Sequence, residues 1–183
     1  ADDPELLELM RISGCAEVLI GLESPTPAGI DGVETRRNWK RDRFDDYKDA
    51  NARIQGHGIA VNGCFVMGLD GDGPELFDAI EEFVEQSGQF DVQITVMTPY
   101  PGTPLYERLR QEGRLIDEGA WEKCTLFDVN HVPMGMSPET LHRQGLALGL
   151  RLYTEEKRTA RAKRFRDQRR AFVRSQRTKE VVA

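Results

Sequence analysis

The residues of this chain that could do chemistry lie in three short motifs, and each motif directly follows a predicted strand. The motifs are IGLES at 20–24, FVMGL at 65–69 and TPYPGTPL at 98–105. Open parallel sheets and barrels bind their ligands at the carboxyl ends of the strands, so three such strand ends would share one edge. The sequence therefore predicts part of a ligand-binding site at that edge.

Each motif offers a different kind of contact. The carboxylate of Glu23 can accept hydrogen bonds from a vicinal diol such as a ribose, although a solvent-exposed loop residue explains the motif as well. Gly68 allows a ligand to approach the backbone closely, but the loop that follows, 70–73, has neither the lysine of a P-loop nor GxGxxG spacing. The prolines of the third motif form either a rigid wall beside a ligand or a plain capped turn. No motif decides its function alone.

The three cysteines, Cys15, Cys64 and Cys124, are too far apart in the sequence for a zinc or iron–sulfur motif. We therefore expect no metal site within the chain, and no residue can be assigned as catalytic. Free thiols are typical of a reducing compartment, and no apolar run approaches the roughly 20 residues of a membrane span. These features predict a cytoplasmic protein without a transmembrane segment.

The elements that position the motifs follow from apolar runs, helical periodicity and capping residues. Strands are expected at 18–22, 59–69 and 92–98, and helices between start and stop signals at 3–14, 43–55, 74–88 and 103–113. Alternating helices and strands predict an α/β fold whose strands are parallel. An irregular stretch, 115–136, then leads to a long helix that begins at Ser137 and is expected to continue into the basic C-terminal residues.

Charge is unevenly distributed along the chain. Residues 151–183 contain twelve lysines and arginines and four acidic residues, whereas the whole chain of 183 residues has a net charge of −6. A basic end on an acidic body could bind nucleic acid or another anionic surface. The alternative is a helix that is solvated or docks on the acidic body. We favour this alternative, because the basic end contains no nucleic-acid recognition motif.

In this order the motifs resemble the radical S-adenosylmethionine (SAM) superfamily, and TPYPGTPL downstream of GLES is the most specific part. EGRL at 112–115, Trp121 and MSPE at 136–139 are similar to its cobalamin-dependent-type branch. The resemblance extends from about residue 3 to residue 153. It implies the C-terminal half of a partial (β/α)6 TIM-like barrel in residues 1–113, followed by a mainly helical C-terminal extension in residues 114–183.

The resemblance also implies which residues contact SAM. Glu23 would contact the ribose, and Ser24 would be a second polar contact. Lys40 is a partner for the SAM carboxylate, with Arg36 and Arg37 as competitors, because the loop that precedes Lys40 is long.

Backbone atoms at the end of the second predicted strand would lie against the adenine of SAM, at Phe65, Val66 and Gly68. Pro99, in the third motif, would belong to the same site. Asp70 stands where many members of the family have proline, and this difference would alter the loop.

The chemistry that the resemblance implies begins at a 4Fe-4S cluster held by a CxxxCxxC loop. The cluster reduces SAM to methionine and a 5′-deoxyadenosyl radical, and cobalamin is a further cofactor that the resemblance allows. This chain has no CxxxCxxC loop and opens at Ala1 without a Met, so we expect a fragment that is inactive alone. Its partners would be the missing N-terminal half of the same protein and a small-molecule or lipid substrate.

Two alternatives remain beside the radical SAM fragment. The chain could be a non-catalytic nucleoside-binding or regulatory remnant that has lost the cluster loop. It could also belong to an RNA-modifying radical SAM enzyme that grips its substrate with the basic C-terminal residues. The resemblance does not identify the substrate.

Overall fold

The computed structural model describes residues 2–34 and 39–182, with backbone only for residues 176–182. In chain order its elements are α1 (Pro4–Ile12), β1 (Glu17–Glu23), α2 (Pro27–Ile30), α3 (Trp39–Asp42), α4 (Tyr47–Gly56), β2 (Ala60–Met67), α5 (Leu76–Ser87), β3 (Asp91–Val96), α6 (Pro104–Gln111), α7 (Pro138–Leu152) and α8 (Glu155–Val182). Single 3-10 turns lie at Phe44–Asp46 and Trp121–Lys123. The predicted alternation of helices and strands is confirmed.

The three strands form one parallel sheet in the order β1-β2-β3. Ile20 pairs with Gly63, which pairs in turn with Val92, and the register shifts between Gly21 and Glu23. The shift is a bulge, and a bulge redirects the side chain that follows it. The α/β class and the parallel direction of the strands are therefore as the sequence predicts.

Short polar side chains begin several of the helices. Asp3 accepts a hydrogen bond from the amide of Leu6, Thr103 accepts one from Tyr106, and Ser137 accepts one from Thr140. A proline follows each of these caps, where its missing N–H costs nothing. Each cap stabilises its helix by about 1 kcal/mol. These three helix starts lie where the sequence predicts them.

The main core lies between one face of the sheet and the helices α5 and α7. Its largest fully buried side chain is Phe65, whose ring makes an edge contact with Phe83 at 5.7 Å. Ile80 of α5 and Leu148 of α7 are also fully buried in this cluster. Successive side chains of a strand point to opposite faces of the sheet, so Val66, the neighbour of Phe65 in β2, faces away from this core.

Two separate helices occupy the C-terminal end, and the prediction of one unbroken helix is wrong. α7 ends at Leu152, and α8 begins at Glu155. The carbonyl oxygen of Leu152 accepts a hydrogen bond from Arg161 at 2.8 Å, and Thr154 accepts one from the amide of Lys157. These contacts satisfy groups that a helix terminus leaves without partners, so the chain can change direction here.

The basic helix α8 docks on the acidic helix α5. Lys157 donates to Glu81 at 2.5 Å and to Glu85 at 2.7 Å, and Arg164 donates to the carbonyl oxygen of Glu85 at 3.0 Å. Phe165 packs against Phe90 with ring centres 5.1 Å apart. These contacts favour the interpretation that the basic C-terminal end docks on the acidic body of the chain. In the two described ranges, no helix is both long and apolar enough to cross a membrane.

A side chain and a loop cover the outer edge of β3. The hydroxyl of Tyr153 donates to the carbonyl oxygen of Val92 at 2.8 Å and also has a backbone hydrogen bond with Ile94. The amide of Val96 donates to the carbonyl oxygen of Leu126 at 2.6 Å. Because these groups already have partners, this edge is a poor template for another strand.

Candidate functional site

Glu23 lies at the bulged end of β1 with an unusual backbone conformation. Its φ angle is +65°, in the left-handed region that residues other than glycine rarely adopt. One carboxylate oxygen accepts a hydrogen bond from the ammonium group of Lys40 at 2.5 Å. A Cβ at Gly21 would lie 2.6 Å from that oxygen, so a glycine is required for the Glu23 side chain to fold back over the strand. Strain of this kind is common at functional sites.

Lys40 therefore lies beside Glu23, and both side chains are about one-fifth exposed. The backbone amide of Lys40 donates to Glu34 at 3.0 Å, which fixes the start of α3. Arg36 and Arg37, the predicted competitors of Lys40, lie outside the described residues. The pair leaves an ammonium group and a carboxylate next to each other at the strand end.

Asp72 joins the ends of β1 and β2. Its carboxylate accepts hydrogen bonds from the amides of Gly68 at 3.1 Å and Leu69 at 2.9 Å, and from the hydroxyl of Ser24 at 3.2 Å. The residue is 2% exposed. A buried carboxylate needs such donors, because an ion without partners would cost several kcal/mol to remove from water. Asp72 thus fixes two of the three strand ends relative to each other.

Ser24 is fully buried, and its hydroxyl is engaged by Asp72 and Thr26. This geometry favours a positioning role for Ser24 over a direct contact with a ligand. A Cβ at Gly29 would lie 2.2 Å from the Ser24 hydroxyl and 2.4 Å from the Asp72 carboxylate. The helix α2 therefore covers these two side chains so closely that only glycine fits.

The two acidic residues of this loop have pKa values shifted in opposite directions. Burial raises the pKa of Asp72 to about 6, although its three hydrogen bonds oppose the shift. Partial burial also acts to raise the pKa of Asp70, but hydrogen bonds from Arg114 at 2.7 Å and Arg108 at 2.5 Å outweigh it and lower that pKa. Asp70 therefore ties the loop to α6 and to the segment that follows α6.

A hollow of about 730 Å³ lies at the carboxyl ends of the strands. Glu23 and Val66 both line it, together with Thr98 and Tyr100 of the third motif. Pockets of this size hold small organic ligands. The structure thus brings residues from all three motifs to one cavity.

Two of the seven predicted contact residues line this hollow, Glu23 and Val66, and five do not: Ser24, Lys40, Phe65, Gly68 and Pro99. The Phe65 side chain is in the core, and Pro99 lies between two lining residues without lining the hollow itself. The amide of Gly68 donates to Asp72, and its carbonyl oxygen lies 3.1 Å from Nε2 of His131. His131 is fully buried, and burial lowers its pKa.

Asp72 is the residue that sequence reasoning missed. It stands in the stretch DGDG, which resembles an ordinary polar turn in the sequence. Its carboxylate accepts from amides three and four residues earlier in the chain, whereas an Asx turn uses the amide two residues later, so no common turn pattern indicates this contact. Its bond to Ser24 joins residues 48 positions apart, which no local pattern indicates.

The chain is similar to one family of domains and to several known enzymes. A domain of unknown function, DUF4070, matches residues 103–182. Bacteriochlorophyllide d C-12(1)-methyltransferase of Chlorobaculum tepidum is 30% identical over 151 residues, which are 82% of this chain and 31% of that protein. Hopanoid C-2 methylase of Rhodopseudomonas palustris is 31% identical over 131 residues, 72% of this chain and 24% of that protein.

A third relative is the anaerobic magnesium-protoporphyrin IX monomethyl ester cyclase of Cereibacter sphaeroides. It is 24% identical over 151 residues, 81% of this chain and 22% of that protein. The chain thus spans between about a fifth and a third of the length of these relatives. The matches agree with the resemblance of the three motifs to the cobalamin-dependent-type branch of the radical SAM superfamily.

Proposed function

We propose that this chain is part of a radical SAM enzyme and that the hollow at its strand ends binds the nucleoside portion of SAM. The observation that carries the proposal is that Glu23 and Val66, from two different strands, line the same hollow. A carboxylate can accept about four hydrogen bonds, and the ammonium group of Lys40 uses one of these positions. The remaining capacity suits the two hydroxyl groups of a ribose.

The lining of the hollow also suits the other parts of SAM. Val66 and Leu105 offer apolar surface to the flat adenine ring, and the backbone at Val66 would lie against its edge. Lys40, which lies beside Glu23 and does not line the hollow, would attract the carboxylate of the methionine portion. Pro99 would contribute by holding Thr98 and Tyr100 in place, because its ring restricts the backbone there.

The fold supports a barrel that is completed elsewhere in a longer protein. The outer edge of β3 is covered by Tyr153 and Leu126, whereas β1 lies at the other edge of the sheet. Further strands would therefore join at β1. Residues 1–113 would form the C-terminal half of a partial (β/α)6 barrel, and residues 114–183 would form the helical extension.

Methyl transfer, or a related radical modification of an organic substrate, is the reaction we propose for the whole protein. The relatives named above include methyltransferases and a cyclase. The resemblance implies a 4Fe-4S cluster that would supply electrons for the reaction, and cobalamin would supply methyl-group chemistry. Among the described residues, no three His, Cys, Asp or Glu side chains are grouped to hold a metal ion, so the residues present do not fit the cluster. Its ligands would come from another part of the protein, and this chain would be inactive alone.

The role of this chain's own residues would be to bind and orient the nucleoside. Glu23 would fix the ribose through charge-assisted hydrogen bonds, which are stronger than neutral ones. Asp72 and Ser24 would keep the strand ends at the separation that this contact needs. Fixed positioning of this kind lowers the entropic cost of reaching the reactive geometry.

Calorimetric titration of the chain with S-adenosylhomocysteine tests the proposal. This compound has the nucleoside of SAM but cannot transfer a methyl group. We expect saturable binding that weakens about tenfold in Glu23→Gln, because a charged acceptor becomes a neutral one. Glu17→Gln, at an exposed position of the same strand, is the matched control and should bind as the native chain does. Absence of saturable binding, or equal loss in both variants, would contradict the proposal.

A further inference from the structure

A second cavity, of about 680 Å³, runs along α7 and the outer edge of β3. We refer to it as the α7 groove. Its rim includes apolar side chains that are unusually exposed: Leu146 is 60% exposed, Leu150 78% and Phe127 67%. Leu146 and Leu150 lie one helical turn apart and form a stripe on the solvent side of α7. Clustered exposed apolar groups of this kind mark a binding surface more often than scattered ones do.

The groove adjoins the hollow at the strand ends. Thr95, Val96 and Leu126 line both cavities. Leu126 stands at the boundary with a φ angle of +70°, a conformation that is strained for leucine. Its carbonyl oxygen accepts the hydrogen bond from Val96 that holds the loop against β3. A ligand in the groove would therefore end close to the hollow in which we place the nucleoside.

The chemistry of the lining indicates what kind of ligand the groove accepts. Within the described part of the chain, its lining contains no carboxylate, lysine or arginine, and its polar side chains are those of Gln93, Thr95, His142 and Tyr153. The hydroxyl of Tyr153 is directed to Val92, and the Val96 amide is directed to Leu126. A peptide strand would need these backbone groups of β3, and they already have partners. An uncharged hydrocarbon needs none of them.

We propose that the α7 groove binds the hydrocarbon part of the substrate, an uncharged long alkyl chain or fused ring system. The inference rests on the proposed function, because the hollow beside Thr95 supplies the reactive end of the site. The volume of the groove lies within the range of about 300–1,000 Å³ that is typical of small-ligand sites. Burial of Leu146, Leu150 and Phe127 by the ligand would supply the binding free energy through the hydrophobic effect.

Fluorescence titration of the chain with pyrenemethanol, an uncharged fused-ring probe, tests the groove. We expect saturable binding that weakens at least tenfold in Leu146→Glu and in Leu150→Glu. Both residues are exposed on a helix surface, so the substitutions should leave the fold intact. Ile12→Glu changes an apolar residue of α1 that is 62% exposed, and it should bind as the native chain does. Absence of saturable binding, or equal loss in all three variants, overturns the proposal.

Light scattering and the Glu23→Gln variant distinguish a hydrocarbon site from a dimer interface and from the nucleoside hollow. If light scattering shows a dimer that Leu150→Glu converts to a monomer while the probe does not bind, the groove is an interface between copies and the proposal is overturned.

The Glu23→Gln variant should bind the probe as the native chain does. If the native chain binds the probe but not S-adenosylhomocysteine, the proposed function is contradicted and the groove stands as a hydrocarbon site. If the native chain binds S-adenosylhomocysteine but not the probe, the groove alone is contradicted.

Discussion

The hydroxyl of Ser24 donates a hydrogen bond to the carboxylate of Asp72 at 3.2 Å, and this contact joins the end of β1 to the end of β2. The same carboxylate accepts the amides of Gly68 and Leu69. Glu23 precedes Ser24 directly, so its position depends on a buried group from another loop. The site that we propose for a nucleoside is therefore held together by an acidic residue that does not line it.

The stability of the chain should depend on the ionisation of Asp72. Its pKa in the folded chain is about 6, above the ordinary value of 3.8, so the folded state binds this proton more tightly than the unfolded state. The free energy of unfolding should therefore fall relative to Asp72→Asn as the pH rises from about 4 to about 6. The free energy of unfolding should fall by about 1.4 kcal/mol for each pH unit that separates the ordinary pKa of Asp72 from its pKa in the folded chain. Urea unfolding of both chains across this range measures it, and a difference that does not change with pH would refute the assignment.

The stability that Asp70 contributes should depend on pH in the opposite direction. The arginine pair lowers its pKa, so the stability that Asp70 contributes is present above the unfolded value and is lost as the pH falls through the lower folded value. We expect Asp70→Asn to cost about 1 kcal/mol at neutral pH, because the ion pairs are partly exposed. Added salt should reduce this cost. Unfolding of the variant at neutral and acidic pH tests the direction, and a cost that grows as the pH falls would be inconsistent with it.

Gly29→Ala should destabilise the chain by about 1–3 kcal/mol or more, because the added methyl group would overlap the Ser24 hydroxyl and the Asp72 carboxylate. Gly56→Ala is the matched control. A Cβ at that position meets no atom within 4 Å, and alanine is the better helix former at the end of α4. Thermal unfolding compares the two. Equal effects of both substitutions would show that α2 does not pack on the pair as described.

Tyr153→Phe should weaken the protection of the β3 edge. The variant lacks the hydroxyl that donates to Val92, and a lost hydrogen bond of this kind costs about 1 kcal/mol. An uncovered edge also pairs more readily with other chains, so we expect more self-association at high concentration. Unfolding and light scattering measure the two effects. A variant as stable and as monomeric as the native chain would show that the hydroxyl does not cover the edge.

The sequence carried much information on the elements and little on what joins them. The helix starts at Asp3, Thr103 and Ser137 are readable because a cap is a local pattern of a polar residue followed by proline. The parallel direction of the strands follows from their alternation with helices. The break between α7 and α8 was not readable, because Thr154 resembles many helical residues and the contact of Arg161 with Leu152 forms only when the chain turns back.

In the candidate site, too, the sequence indicates local features but not the contacts between distant residues. The motifs with Glu23 and Val66 were found from their position after predicted strands, because strand ends are defined by local hydrophobicity. The burial of Ser24 and its bond to Asp72 depend on how two loops meet, and the pairing of Glu23 with Lys40 depends on the course of the chain across 17 residues. Contacts of this range are set by packing, and no pattern within one segment indicates them.

A crystal structure of the chain with S-adenosylhomocysteine tests the central claim most directly. We expect the ribose hydroxyl groups within hydrogen-bonding distance of the Glu23 carboxylate and the adenine ring against the backbone at Val66. A nucleoside bound elsewhere on the chain, or a Glu23 carboxylate directed away from the ribose, would contradict the claim.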